Sequence, residues 1–215
     1  MEPIRISPAQ QKKTLLLVVI LCASTSFSQN YIFYLHGRII EVQGANAVDQ
    51  VNGYGAYKYN DILDSLKKNN TLVISEVRSK DTQVKDYALK VKKQIDSLLK
   101  KGVKPEDITV IGASKGSLIA MYVSSYLKNK SVNFVFMAAC YTDDNDPEIN
   151  FYGNILSIYE KSDAAGSCGT IKSHSSGVNH YKELEINTGL KHGFLYKPIR
   201  EWIVPARQWA HEQYD

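Results

Sequence analysis

From Tyr31 onward the chain alternates short apolar, β-branched runs with stretches of helical period, and this alternation most restricts what it can fold into. The runs fall at residues 31–35, 71–77, 108–111, 132–137, 155–159 and, shorter, 184–186. Helical patterns fill 57–68, 84–99 and 115–127. In the second of these Val84, Tyr87, Ala88, Val91, Ile95, Leu98 and Leu99 recur at three and four residues, which is one face of a helix. Gly102 and Pro105 follow as stop signals. Trp202 and Trp209 mark a last helical pattern, where Pro205 predicts either a kink or a new start. Residues 38–56, 141–153 and 164–182 read as loops. Strands separated by helices mean an α/β domain with a mostly parallel sheet of about six strands and helices on both faces. In such sheets ligands bind where the strands end, so functional residues are expected just after strands.

Composition adds exclusions. The chain has 215 residues, which fits one main domain, and 44% hydrophobic with 22% charged residues is ordinary for a globular protein. Of the net charge of +4, Arg5, Lys12 and Lys13 against Glu2 place +2 in residues 1–28, leaving +2 for the rest. That balance, without a basic cluster interleaved with aromatics, argues against nucleic acid as a partner. Lys12-Lys13, an apolar run from Leu15 to Ala23, and small residues at Ser26 and Ser28 have the order of a secretory signal peptide. The run is too short for the roughly 20 residues that span a bilayer. Residues 1–28 are therefore expected to be cleaved, leaving a secreted or periplasmic domain over 29–215 with no stable membrane anchor. Cys140 and Cys168 then remain.

The stretch Val110-Ile-Gly-Ala-Ser-Lys-Gly116 lies between the third strand and a helix. A dinucleotide loop is one reading. That loop belongs after the first strand, and the Tyr-x-x-x-Lys pair that accompanies it in short-chain dehydrogenases occurs here only upstream, at Tyr54–Lys58. The other reading takes Gly112-Ala113-Ser114-Lys115-Gly116 as G-x-S-x-G, a sharp turn that exposes a nucleophilic serine, with glycines admitting close approach of strand and helix. A hydroxyl needs a base, and the base needs an orienting acid. Asp163 follows the fifth strand and His192 follows the sixth, in the order serine, acid, histidine. Glu160, and Asp143, Asp144 and Asp146 after the fourth strand, are alternative carboxylates. His174, His180 and His211 are less well placed than His192.

With Leu35-His36-Gly37 at the end of the first strand, Gly112–Gly116, Asp163 and Lys191-His192-Gly193, the chain resembles a small α/β-hydrolase over about residues 31–212. The resemblance implies a serine hydrolase with a Ser114-Asp163-His192 triad acting on an ester, thioester, amide or related acyl bond of a small-molecule or acyl substrate. It implies an oxyanion site at Gly37, Arg38 and Lys115, and neither metal nor organic cofactor. His36 is expected to shape the oxyanion turn. The Lys115 side chain is expected to be solvated or near the cleft mouth rather than catalytic, its backbone carrying the role. Tyr54, Tyr57 and Tyr59 line a pocket or pack the loop. Two departures stand out: the first two antiparallel strands are missing, and the lid is reduced to about residues 141–153. The two cysteines leave neighbouring strands at one sheet edge, which predicts a Cys140–Cys168 disulfide. A non-catalytic binding protein on the same scaffold is the alternative from another class.

Overall fold

The structure, a computed structural model, describes residues 29–68, 70–141 and 146–215. The expected signal segment, residues 1–28, lies outside them, as do Asp143 and Asp144.

In chain order the elements are β1 (Asn30–Leu35), α1 (Arg38–Gln43), β2 (Val48–Asp49), β3 (Gly55–Ala56), α2 (Tyr59–Leu66), β4 (Thr71–Ile74), α3 (Val84–Lys100), β5 (Ile108–Ala113), α4 (Lys115–Leu127), β6 (Asn133–Met137), β7 (Tyr152–Glu160), α5 (Gly169–His174), β8 (Gly177–Ile186) and α6 (Arg200–Trp209). Short 3₁₀ turns cover Pro105–Asp107 and Lys191–Tyr196. Six strands form one sheet in the order β4-β1-β5-β6-β7-β8, and every pairing is parallel. Among the described residues no antiparallel strand joins it.

The sheet is covered on both faces, which is why its central strands are apolar at nearly every position. Alternate residues serve opposite layers: Ile32 and Tyr34 of β1 and Val135 and Met137 of β6 pack with α1, α2 and α6. Phe33, Leu35, Phe134 and Phe136 pack with α3 and α4. The predicted face of α3 is the buried one, through Ala88, Val91 and Ile95.

Two expectations change, and of the two alternatives at Pro205 the new start is ruled out. Residues 38–56 carry a six-residue helix and a two-stranded ribbon, β2 with β3. The loop expected at 164–182 holds α5 and most of β8, and β8 is ten residues long. It is an edge strand with one exposed face, so most of it has no apolar run to betray it. Pro205 sits inside a single helix, α6. The carbonyl its missing N–H would have bonded belongs to Glu201, which is exposed, so water can replace the partner. Cys140 and Cys168 form the expected disulfide, with a Cα–Cα distance of 5.2 Å.

Candidate functional site

Ser114 lies between the last residue of β5 and the first of α4, with φ 53° and ψ −121°. That backbone region costs about 1–3 kcal/mol for a residue with a side chain and persists only when its surroundings enforce it. They do. A Cβ on Gly112 would stand 2.3 Å from the Ser117 Cα, and one on Gly116 would stand 1.9 Å from the Leu35 carbonyl oxygen. Both glycines of G-x-S-x-G are therefore required by close backbone approach. The Ser114 N–H donates to the Met137 carbonyl at 2.9 Å, which ties the turn to β6.

The turn after β1 abuts the serine. A Cβ built on Gly37 would lie 3.7 Å from the Ser114 Cβ. Arg38 and Lys115 are the first residues of α1 and α4. Their N–H groups have no intrahelical acceptor, and the 13-residue α4 adds the positive end of its dipole.

Behind this turn lies a buried network. The Arg78 N–H donates to His36 Nε2 at 3.0 Å, and His36 Nδ1–H donates to the Gly37 carbonyl at 2.9 Å. His36 is thereby held neutral, and burial, reinforced by the Arg78 charge, lowers its pKa to about 4. Arg78 also donates through Nη2 to the His36 carbonyl and through Nε to Glu41 at 2.8 Å. The second Glu41 oxygen accepts from Lys115 Nζ at 2.6 Å, and Nζ also donates to the Thr82 carbonyl at 2.8 Å. The Lys115 side chain is thus paired rather than freely solvated, because a buried carboxylate draws it in. Glu41 and Arg78 have fully buried side chains and were invisible in the sequence; nothing local marks either as a partner of Lys115 or His36.

On the other side, His192 Nδ1 and Asp163 Oδ2 are 2.7 Å apart. The second Asp163 oxygen accepts the Ala164 N–H at 2.7 Å. Of the competing carboxylates, Glu160 bonds Ser162, Thr188 and Gly189. Asp146 accepts from the Tyr122 hydroxyl. His180 stacks on Tyr214 and His211 meets Asn30, whereas His174 is exposed on α5. Among the described residues no hydrogen bond joins Ser114 Oγ to His192 Nε2.

The tyrosines divide. Tyr57 is buried with its hydroxyl 2.7 Å from that of Tyr34, and Tyr59 bonds Ser75 at 2.7 Å. Tyr54 is half-buried, its ring close enough to Gly193 that a Cβ there would meet it at 2.8 Å. Burial, with the Asp163 charge next, raises its pKa. Tyr54 walls the histidine loop, while the other two pack the core.

The all-parallel sheet flanked on both faces finds its match among solved structures. Arabidopsis thaliana SOBER1 superimposes with a TM-score of 0.56 at 11% identity, covering 87% of this chain and all of that one. The chain has the α/β-hydrolase fold. The Pyrococcus furiosus esterase Pf2001 gives a TM-score of 0.52 at 16% identity over 87% of this chain and 84% of its own. Est1E from Butyrivibrio proteoclasticus gives 0.53 at 11% over 89% and 90%. No protein-family model matches the chain, and no curated protein matches it in sequence. In this α/β-hydrolase fold the connection from β6 to β7 spans only residues 138–151, with Ile149 and Phe151 buried against the sheet.

Proposed function

We propose that this protein is a serine hydrolase that cleaves an ester or related acyl bond. The observation that carries the reading is Ser114 in a strained turn at the edge of the sheet where the His192–Asp163 pair also lies. In the proposed reaction Ser114 Oγ attacks the carbonyl carbon and its proton passes to His192 Nε2. The oxyanion is held by the backbone N–H groups of Lys115 and the Gly37-Arg38 turn. The intermediate collapses, His192 returns the proton to the leaving group, and an acyl-Ser114 remains. Water then attacks the acyl carbon, again giving its proton to His192, which passes it to Ser114 as the acid is released. Asp163 orients the imidazole and stabilises its charged form. The residues supply every proton transfer without a cofactor.

Residues 1–28 are proposed to be an export signal, and a disulfide between buried cysteines fits an oxidising destination. The mature protein would then begin after Ser28, which mass measurement of the exported chain would read. The catalytic reading is tested with a fluorophosphonate probe and short-chain nitrophenyl esters. Labelling and turnover are expected in the wild type and lost in Ser114→Ala; labelling that persists in that variant, or a wild type that neither labels nor turns over, sinks it. The second outcome would favour a binding protein on this scaffold.

A further inference from the structure

We propose that Glu160 is a positioning residue, whose carboxylate joins the loop that carries Asp163 to the loop that carries His192. This rests on the triad reading above. One carboxylate oxygen accepts the Ser162 N–H at 2.6 Å and the Ser162 hydroxyl. The other accepts the N–H groups of Thr188 at 2.9 Å and Gly189 at 3.0 Å. The side chain is fully buried. Ser162 directly precedes Asp163, and Gly189 lies three residues before His192. Every donor that Glu160 engages is therefore within four residues of a proposed catalytic side chain.

The main chain adds a second connection. The Glu160 carbonyl accepts the Asp163 N–H at 2.9 Å, and the Lys161 N–H donates to the Ile186 carbonyl at 2.9 Å. Yet among the described residues the main-chain bonds between the two stop at Ile186; beyond it, the Glu160 carboxylate fastens the backbone of the histidine loop to the acid loop, and the His192–Asp163 bond joins their side chains. The chemistry demands a carboxylate of this length. Four donors face two oxygens, and an ionised carboxylate is the side chain with two acceptor oxygens and no donor. Glutamine would turn an NH₂ toward two donors. Aspartate is one methylene too short to reach both loops. Burial raises the Glu160 pKa, but the Ser162 hydroxyl and the three backbone N–H groups more than offset this and leave it lowered, so the charged form is the one held.

The experiment compares the full chain with Glu160→Gln, Glu160→Asp and Ser162→Ala. It measures kcat and KM on a short-chain nitrophenyl ester, fluorophosphonate labelling rate, thermal unfolding, and the downfield ¹H resonance of the His192 Nδ1 proton in ¹⁵N-histidine-labelled protein. For Glu160→Gln we expect folded protein, kcat lowered about tenfold or more with KM within about twofold, and a weakened Nδ1–H resonance, because small misplacements of catalytic groups carry large rate costs. Glu160→Asp should recover part of both signals. A folded Glu160→Gln with wild-type kcat overturns the proposal, as does a lost rate with the resonance unmoved, which a merely structural role predicts. If Glu160→Gln does not fold, Ser162→Ala decides: kcat lowered about two- to threefold with a perturbed resonance supports the proposal, and no change in either overturns it. A wild type that takes no probe at Ser114 overturns the triad reading instead, so the two failures are distinguishable.

Discussion

The two flanks of Ser114 are built on different chemistry. Toward β1, the Gly37-Arg38 turn is held by buried charges: Arg78, Glu41 and Lys115 in series, with neutral His36 between Arg78 and Gly37. Toward β7 and β8, the acid and histidine loops are held by a carboxylate on backbone N–H groups and by the Cys140–Cys168 bond, beside which the Gly166 N–H donates to the Cys140 carbonyl at 2.8 Å. The first arrangement removes whole ions from water and tolerates little error, since each charge depends on its partner. Its cost is visible at Arg78 Nη1, which is buried with no hydrogen-bond partner among the described residues. The second recruits groups that every residue possesses, plus a covalent bond. On this difference the β1 side is expected to be rigid and all-or-none, whereas the Asp163–His192 side can loosen in steps.

Substitutions should separate the flanks by size of effect. Glu41→Ala leaves Arg78 and Lys115 with uncompensated charge. It is expected to cost about 3–5 kcal/mol of stability in denaturant unfolding. If it costs under about 1 kcal/mol, the buried network does not hold the turn. Replacing both cysteines with serine reopens a 28-residue loop and should cost about 3–4 kcal/mol on the chain-entropy model. Equal unfolding midpoints with and without reductant would contradict this.

The third prediction uses pH. His36 is buried neutral with a pKa near 4, against 6.5 for the free group, so the unfolded chain binds the extra proton first. Its contribution, about 3 kcal/mol at most, is complete above pH ~6.5 and is lost as the pH falls toward 4. Glu160, with a lowered carboxylate pKa, loses its contribution only below the ordinary carboxylate range. The β1 flank should therefore weaken first on acidification, and His36→Gln should flatten the stability curve between pH ~6.5 and ~4; an unchanged curve removes His36 from the account. Smallest of all, Ser162→Ala removes one of the four Glu160 bonds and should cost about 1 kcal/mol by thermal unfolding. A cost near that of Glu41→Ala would erase the contrast between the flanks.

Much of this was legible without coordinates where the signal is local. Strand and helix order, the span of α4 and the glycine-bounded turn at Ser114 follow from residues within a few positions of one another. β8 was under-read because an edge strand exposes one face, and α1 because six residues make too little period to see. The carboxylate question shows the limit most plainly. Asp163 and Glu160 are three residues apart at the end of the same strand, and both were candidates for the histidine. In the fold one meets His192 and the other meets the backbone of the histidine loop.

The amino-acid sequence by itself determined the layered α/β architecture, the glycine-bounded turn at Ser114 and the cysteine pair, because period, turn chemistry and position along the chain are properties of short segments. Only the tertiary structure decided that Lys115 is claimed by Glu41, 74 residues away, that Arg78 braces His36, 42 away, and that Tyr54 walls the histidine loop. Those contacts exist only after the sheet has brought distant strand ends to one edge and removed the water that would otherwise have served each charge.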